Sequence, residues 1–300
     1  MKSSLPSPLR TWLQLFRAPN LFTVPGDPLV GYLLANAGQI DRSLIAAIFA
    51  SLCCYAGGLL MNDLADEAED RRERPNRPLP SGAAKRGTVW IVLVLLGGAA
   101  LAALWVFGNP RALAAGGVLL AAITLYNFLT KHWPVIGALN MGLCRGLSVM
   151  LGASVGPIAS FQIGIMPALF IGLYIAAITH LARYETRDRI PVHARLLPAL
   201  VAALACAAGA TAALGSPAKA PAAGLFLLTA LVVGWLAVKM FAKNRPPLPP
   251  LIGSHIRALL PLQAALCYFA NPWGLGQPAA VILLCLWPVS RLVSRWFYAS

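Results

Sequence analysis

Charge is what this chain lacks. Only 11% of its 300 residues are charged, against about 25% in a typical soluble domain, and a soluble chain of this length needs a charged surface that is not here. Acid is scarcer still, with ten Asp and Glu set against 24 Lys and Arg. The six cysteines fall in apolar runs with no metal-ligand spacing. They read as small packing residues, so neither a disulfide framework nor a zinc site is expected. No cleavable signal peptide is expected either, because Met1 to Asn20 is polar and basic and lacks a small-residue cleavage site. Internal repeats are missing as well, which tells against the inverted-repeat architecture of many transporters.

What is abundant is apolar sequence, at 58%. A spanning helix needs roughly 20 mostly apolar residues. Ten segments qualify: about 21–37, 44–61, 88–107, 111–130, 134–156, 162–182, 196–214, 221–241, 255–270 and 277–294. Pro25, Asp27 and Pro28 interrupt the first, and the ninth is short with His255 and Arg257 at its entry. The runs are too long, too rich in Leu and Ala and too poor in alternation for a membrane barrel. The expected fold is all-α: a polytopic transmembrane bundle of about nine core spans plus an extra C-terminal span, forming one domain over residues 1–300. Small pairs such as Gly57-Gly58 and Gly97-Gly98 are expected to let helices approach closely. Trp133, Trp273, Trp287 and Trp296 fit interfacial belts.

The basic residues sort by side. With the N-terminus in the cytoplasm and the segments alternating, 20 of the 24 Lys and Arg fall on the cytoplasmic side. Only Arg42, Arg111 and Lys219 fall outside, and Arg145 lies within a span. That bias follows the positive-inside rule. The net charge of +14 is then a topology signal, and no nucleic-acid partner is expected. Both termini and the acidic loops should be cytoplasmic, in what reads as a bacterial inner membrane.

Acid, in contrast, is concentrated. Six of the ten acidic residues are Asp63, Asp66, Glu67, Glu69, Asp70 and Glu73, where the second segment leaves the membrane. If the helix continues, Asp63, Asp66 and Asp70 stand at i, i+3 and i+7 and share a face. Carboxylates so close repel one another unless a cation neutralises them. Hard oxygen ligands suit Mg²⁺, which keeps waters and bridges a few carboxylates to substrate phosphates. Asn62 adds a neutral carbonyl. Arg71, Arg72, Arg74 and Arg77 follow at once, and Pro75, Pro78 and Pro80 stiffen the chain around guanidinium groups suited to diphosphate. The plain alternative is a solvated loop of mixed charge, which has no reason to gather most of the chain's acid beside a span. Arg145 reads as a diphosphate contact or as half of a structural ion pair. Asp27 reads as an intramembrane functional group or, given its flanking prolines, as a residue near the interface. His180 reads as structurally satisfied.

The pattern Asn62-Asp63-x-x-Asp66-x-x-x-Asp70, followed by Arg74 and Asn76-Arg77-Pro78-Leu79-Pro80-Ser81-Gly82, resembles the first motif of the UbiA superfamily of intramembrane prenyltransferases. About ten positions over 21 residues match, which is far more specific than a lone DxxD. Arg17-Ala18-Pro19-Asn20 resembles the family's entry, and Tyr126, Lys131, Gly137 and Asn140 resemble its segment between spans four and five. The resemblance implies a bundle around a cavity open to lipid. An isoprenyl diphosphate binds there with Mg²⁺, and a prenyl group moves to a small, often aromatic, acceptor. It implies Asp63, Asp66, Asp70 and Asp188 as catalytic carboxylates. It implies Asn62, Glu185 and the same aspartates as the metal set. Arg74, Arg77, Lys131, Asn140 and Arg145, together with Arg183, Tyr184 and Arg187, are the implied substrate contacts.

The second family motif, a pair of aspartates after the sixth span, is altered here. The loop reads Arg183-Tyr184-Glu185-Thr186-Arg187-Asp188-Arg189. Arginines beside each carboxylate compete with a metal and offer themselves as the second cation. A divergent branch of the superfamily, encoded in so-called ebo clusters, looks similar in this loop. The rival reading is a catalytically degenerate relative that binds or exports a lipid or metabolite.

Overall fold

The computed structural model describes residues 8–36, 40–185, 187, 189–242, 244 and 246–296. Asp188, Lys243 and Arg245 therefore lie outside the described residues. Fourteen α-helices are described. The N-terminal part holds α1 (Pro8–Leu15), α2 (Ala18–Leu21), α3 (Gly26–Ala35), α4 (Arg42–Ala65) and α5 (Glu67–Glu73). Next come α6 (Arg86–Phe107), α7 (Pro110–Leu125), α8 (Pro134–Ser154), α9 (Ile165–Ala182) and α10 (Val192–Leu214). The chain continues through α11 (Ala220–Phe241), α12 (Leu248–Arg257), α13 (Leu259–Ala270) and α14 (Gly276–Val293). A π-helical turn, Tyr126–Thr130, prolongs α7. Among the described residues there is no strand, so the fold is the all-α bundle that length and composition lead one to expect.

Among the described residues, eight helical stretches are long and apolar enough to cross a membrane. The first and ninth expected segments take another form. The first is α3, ten residues long, about 15 Å at the helical rise and half a hydrocarbon core. The ninth is broken at Ala258, between α12 and α13. Pro261 accounts for that break. It has no N–H for the Arg257 carbonyl, and its ring clashes with a straight continuation.

Local chemistry starts the spans where it should. Asp41 caps α4 by accepting from the Ser43 and Leu44 amides at 2.9 and 3.1 Å. Asn109 caps α7 through the Ala112 amide at 2.9 Å, with Pro110 at the first helical position. Asn109 also donates to the Ser154 carbonyl at 3.0 Å, tying the start of α7 to the end of α8.

Helix α8 is central and packs against α3, α7 and α9. Its crossing with α3 is close enough that a Cβ on Gly31 would meet the Val149 carbonyl, and one on Gly152 would meet the Pro28 carbonyl. Small residues serve here as membrane bundles use them, to let backbones touch. The opposite kind of surface is carried by α6, where Val94, Leu95 and Trp105 are 64% or more exposed. On an integral membrane protein these are lipid-facing positions.

Candidate functional site

The acidic motif sits at a corner. Helix α4 ends at Ala65, α5 starts at Glu67, and Asp66 lies between them with φ −93° and ψ 1°, a sparsely populated region where many active-site residues are found. The expected single helical face is therefore bent at its middle carboxylate. Asn62 Nδ2 donates to Asp66 Oδ2 at 3.0 Å, and Lys131, from the turn after α7, pairs with the other oxygen. Asp70 receives Arg77 Nη1 at 2.7 Å, and the same nitrogen is 3.9 Å from Asp63. Arg17 Nη2 reaches Asp63 at 3.5 Å. Glu67 is held apart by Arg71 and Arg86. The repulsion expected within the cluster is thus answered by cations drawn from four other places in the chain, Arg17, Arg77, Arg86 and Lys131.

This corner is the rim of a cavity of about 310 Å³. Asn62, Asp66, Asp70, Arg74, Arg77 and Arg145 line it, together with Glu185 from the loop after α9. A second, more apolar chamber of about 130 Å³ lies deeper, walled by Cys54, Leu119, Ile123 and Ser148. Arg17, Tyr55, Asn62, Tyr126 and Arg145 belong to both walls, so the polar mouth and the apolar chamber adjoin. Ser51 and Ser148 close the interior with a hydroxyl–hydroxyl bond of 2.6 Å between α4 and α8.

The remaining candidates named by the sequence divide once they are placed in the fold. Asp63 is buried beneath the rim on Arg17 and Arg77. Asn140 donates to Thr130 Oγ1 at 2.8 Å and braces the turn that carries Lys131. Arg183 donates to the Lys131 carbonyl at 3.3 Å. Arg187 lies 5.4 Å from the Tyr184 ring centre, and that ring packs edge-on against His180. Of the described second-loop candidates, Glu185 is the one on the cavity wall.

Arg145 is bound up with Asp27. Its Nε stands 2.9 Å from Asp27 Oδ2, and its Nη2 donates to the Thr23 carbonyl at 3.0 Å. Gln263 donates to that carbonyl at 2.8 Å and to Asp27 Oδ1 at 2.7 Å. The ion pair is fully enclosed on the Asp27 side, which is 0% exposed.

Two wall residues are not marked by the sequence as part of the site. Arg17 stands out there only as part of an entry motif, yet it lines both chambers. It is the one non-glycine residue with positive φ among those described, at 43°, and strain of that kind collects at functional sites. Tyr55 stands seven residues before Asn62, on the same face of α4. Following the helical period back from the motif through Leu59 to Tyr55 and Ser51 would have found the wall.

Can these residues hold Mg²⁺? Among those described, no three His, Cys, Asp or Glu side chains converge on one point, so the protein alone forms no closed cage. Mg²⁺ needs none, since it usually takes one or two carboxylates and fills its octahedron with waters and substrate phosphates. Asp66, Asp70 and the Asn62 carbonyl at a cavity mouth are an all-oxygen set of that kind.

A membrane bundle with a charged mouth and an apolar interior defines the class: an intramembrane enzyme for an amphipathic substrate. The profile of the UbiA prenyltransferase family matches residues 28–189, more than half of the chain, and the chain belongs to that family. It is a prenyltransferase. Among relatives, the digeranylgeranylglyceryl phosphate synthase of Methanoculleus marisnigri is 30% identical over 220 residues, covering 67% of this chain and 75% of the relative. The synthase of the same name from Methanococcus aeolicus is 30% identical over 54% of this chain and 58% of its own length. Among solved structures, a UbiA homolog from Aeropyrum pernix K1 has a TM-score of 0.68 at 20% identity, covering 82% of this chain and 96% of that one. A UbiA homolog from Archaeoglobus fulgidus bound to GPP and Mg²⁺ has a TM-score of 0.63 at 16% identity, covering 94% and 99%. Both share the fold.

Proposed function

We propose that this enzyme moves a prenyl group from an isoprenyl diphosphate to a small acceptor within the membrane, with Mg²⁺ at the α4–α5 corner, and that residues 1–300 act as one unit. The observation that carries this reading is that a polar and an apolar chamber adjoin across shared walls of Arg17, Tyr55, Asn62, Tyr126 and Arg145. A diphosphate needs the cations and oxygen ligands of the mouth, and its chain needs the apolar interior beyond Tyr55 and Tyr126.

Asp66, Asp70 and Asn62 hold Mg²⁺, which supplies charge neutralisation for the departing diphosphate. Arg74, Arg77 and Lys131 take the diphosphate oxygens, and Arg77 exchanges part of its pairing with Asp70 and Asp63 to do so. The C–O bond of the donor then breaks, and its electron pair leaves with the diphosphate. The allylic cation is captured by a lone pair or π pair of the acceptor, which releases a proton. Enclosure by α4, α7 and α8 keeps water from the cation. The relatives' names support a glyceryl phosphate as acceptor and give no support to the aromatic ring that the motif resemblance leads one to expect.

Diphosphate release from a panel of isoprenyl diphosphates, measured on purified protein with Mg²⁺ and with either glyceryl phosphate or aromatic acceptors, tests the reading. Acceptor-dependent release is the expected result. Retained donor binding without release from any donor would return the chain to the degenerate alternative. The orientation we propose, with both termini and the acidic corner cytoplasmic, predicts that a cysteine placed at Ser81 in a cysteine-free background stays unlabelled by an impermeant reagent outside the cell.

A further inference from the structure

A separate cavity of about 360 Å³ lies between α11, α12 and α14. It shares no wall residue with the catalytic cavity, although α12 serves both. Ile252 and Ile256 face the catalytic side, while Leu251, Ser254 and Arg257 face this one. Three cations converge on it: Lys239, Arg257 and Arg291. The chain's ten acidic residues all precede Val192, so α11, α12 and α14 contribute none. Among the described residues, none of the three cations is in an ion pair. Arg257 is only 8% exposed and donates to Ser254 Oγ at 3.0 Å.

A guanidinium taken out of water without a counter-charge is costly. The positive-inside rule explains cations at this end of the bundle, but it does not explain burying one of them in a cavity beside two others. The missing partner is an anion. The rest of the wall says which kind. Trp235 and Trp287 line it, Lys239 Nζ lies 3.6 Å from the Trp235 ring centre, and Trp235 is 56% exposed on a spanning helix. The cavity thus has a basic end and an aromatic side that opens toward lipid. Ser290, next to Arg291, donates to the Pro19 carbonyl at 2.8 Å, two residues from the Arg17 that reaches Asp63, so the basic end lies at the same end of the bundle as the acidic corner.

We propose that this cavity binds an anionic phospholipid, its headgroup phosphate on Lys239, Arg257 and Arg291 and an acyl chain along Trp235 and Trp287. Basic pockets between spanning helices on the cytoplasmic side suit such headgroups. A free phosphate shares the chemistry of the basic end but has no use for the aromatic side. A bound lipid bridges α11, α12 and α14 and props α12 against the catalytic cavity.

The full chain, purified in neutral detergent, is titrated with short-chain phosphatidylglycerol, with phosphatidylcholine and with inorganic phosphate while thermal unfolding is followed. Phosphatidylglycerol is expected to raise the midpoint at concentrations where the other two leave it unchanged. The Lys239→Gln, Arg291→Gln double variant, which leaves buried Arg257 in place, is expected to lose at least half of that shift. Arg72→Gln with Lys85→Gln removes the same charge from exposed positions on α5 and just before α6 and is expected to keep it. Native mass spectra of the wild type, which need no variant to fold, are expected to retain phosphatidylglycerol over phosphatidylcholine. Equal stabilisation by inorganic phosphate overturns the lipid source. No phosphatidylglycerol response in the wild type, or an equal response in the cavity double variant, overturns the site.

Discussion

Asp27 and Asp70 each meet an arginine, but they do so in surroundings that differ in one respect: what is left over for a ligand. At the centre of the bundle Asp27 is wholly enclosed, with Arg145 on one oxygen and Gln263 on the other. At the mouth, Arg77 is 21% exposed at its side chain and divides itself between Asp70 and Asp63. The first pairing is consumed by the fold, since it joins α3, α8 and α13 and holds the Thr23 carbonyl. The second is exchangeable, because a cation with two partners and access to solvent can trade one of them for a phosphate oxygen. Charge placed in a membrane enzyme thus does two jobs, and enclosure separates them.

Breaking the enclosed pair should have the largest effect. Asp27→Asn leaves Arg145 as an uncompensated buried charge, at a cost of about 3–5 kcal/mol, read as a fall in the unfolding midpoint of the detergent-purified protein. Replacing both partners, Asp27→Leu with Arg145→Met, is expected to recover part of that loss, because matched apolar residues remove the desolvation problem. A single variant within about 1 kcal/mol of wild type would erase the distinction between the two pairings.

The exchangeable pair should respond in the opposite way. Asp70→Asn or Asp66→Asn is expected to change stability by no more than about 1 kcal/mol, since Arg77 keeps Asp63 and the Asp66 side chain is 23% exposed. Activity is expected to fall by at least about 100-fold, or about 2.7 kcal/mol of transition-state stabilisation. The Mg²⁺-dependent stabilisation by an isoprenyl diphosphate should disappear with it. A variant that still gains stability from donor and Mg²⁺ as the wild type does would show that the corner does not hold the metal.

The two pairings also differ in how visible they are in the sequence. Asp63, Asp66, Asp70 and Arg77 crowd into one short stretch, and so the mouth is legible as a motif. Asp27, Arg145 and Gln263 come from helices far apart in the chain, so the sequence leaves Arg145 open between ligand contact and structural pair. The fold class is legible for a simple reason: apolar runs of spanning length have few other uses. The shortened α3 and the break before α13 are foreshadowed by Pro28 and Pro261, but their extent depends on packing against α8 and α14. Arg17 is hidden because what marks it is a backbone angle. Asn140 donates to Thr130 on the turn that carries Lys131, a bracing contact that the sequence motif does not announce.

The second loop offers a finer test of the same contrast. Glu185 lines the same cavity as Asp66 and Asp70, whereas Arg187 rests on the Tyr184 ring. Glu185→Gln is therefore expected to lower kcat/KM by about tenfold, or 1.4 kcal/mol. Arg187→Ala is expected to lower it by less than about threefold. The reverse order would mean that the loop closes over substrate and delivers its arginines as the second cation.

The smallest expected effect concerns a carboxylate in neither class. Asp41 caps α4 far from the mouth, and it is served by uncharged donors. Burial works against its charge, but hydrogen bonds from Ser43, Leu44 and Tyr32 outweigh it and hold its carboxyl below the usual range. A carboxyl depressed in the folded state stabilises the fold above its unfolded pKa, about 3.9, and that contribution is lost as pH falls through the folded value. Asp41→Ala should thus cost about 1 kcal/mol at neutral pH, the ordinary worth of a helix cap. The gap from wild type should begin to close as pH falls below about 4 and should vanish only once the wild-type carboxyl is neutralised at its lower folded value. Asp27→Asn supplies the contrast, because its cost at neutral pH comes from an unpaired buried cation and exceeds that of any exposed cap. If Asp41→Ala proved as damaging as Asp27→Asn, the cap would be acting as a tether between Tyr32 on α3 and α4, and enclosure would no longer be what separates a structural carboxylate from an exchangeable one.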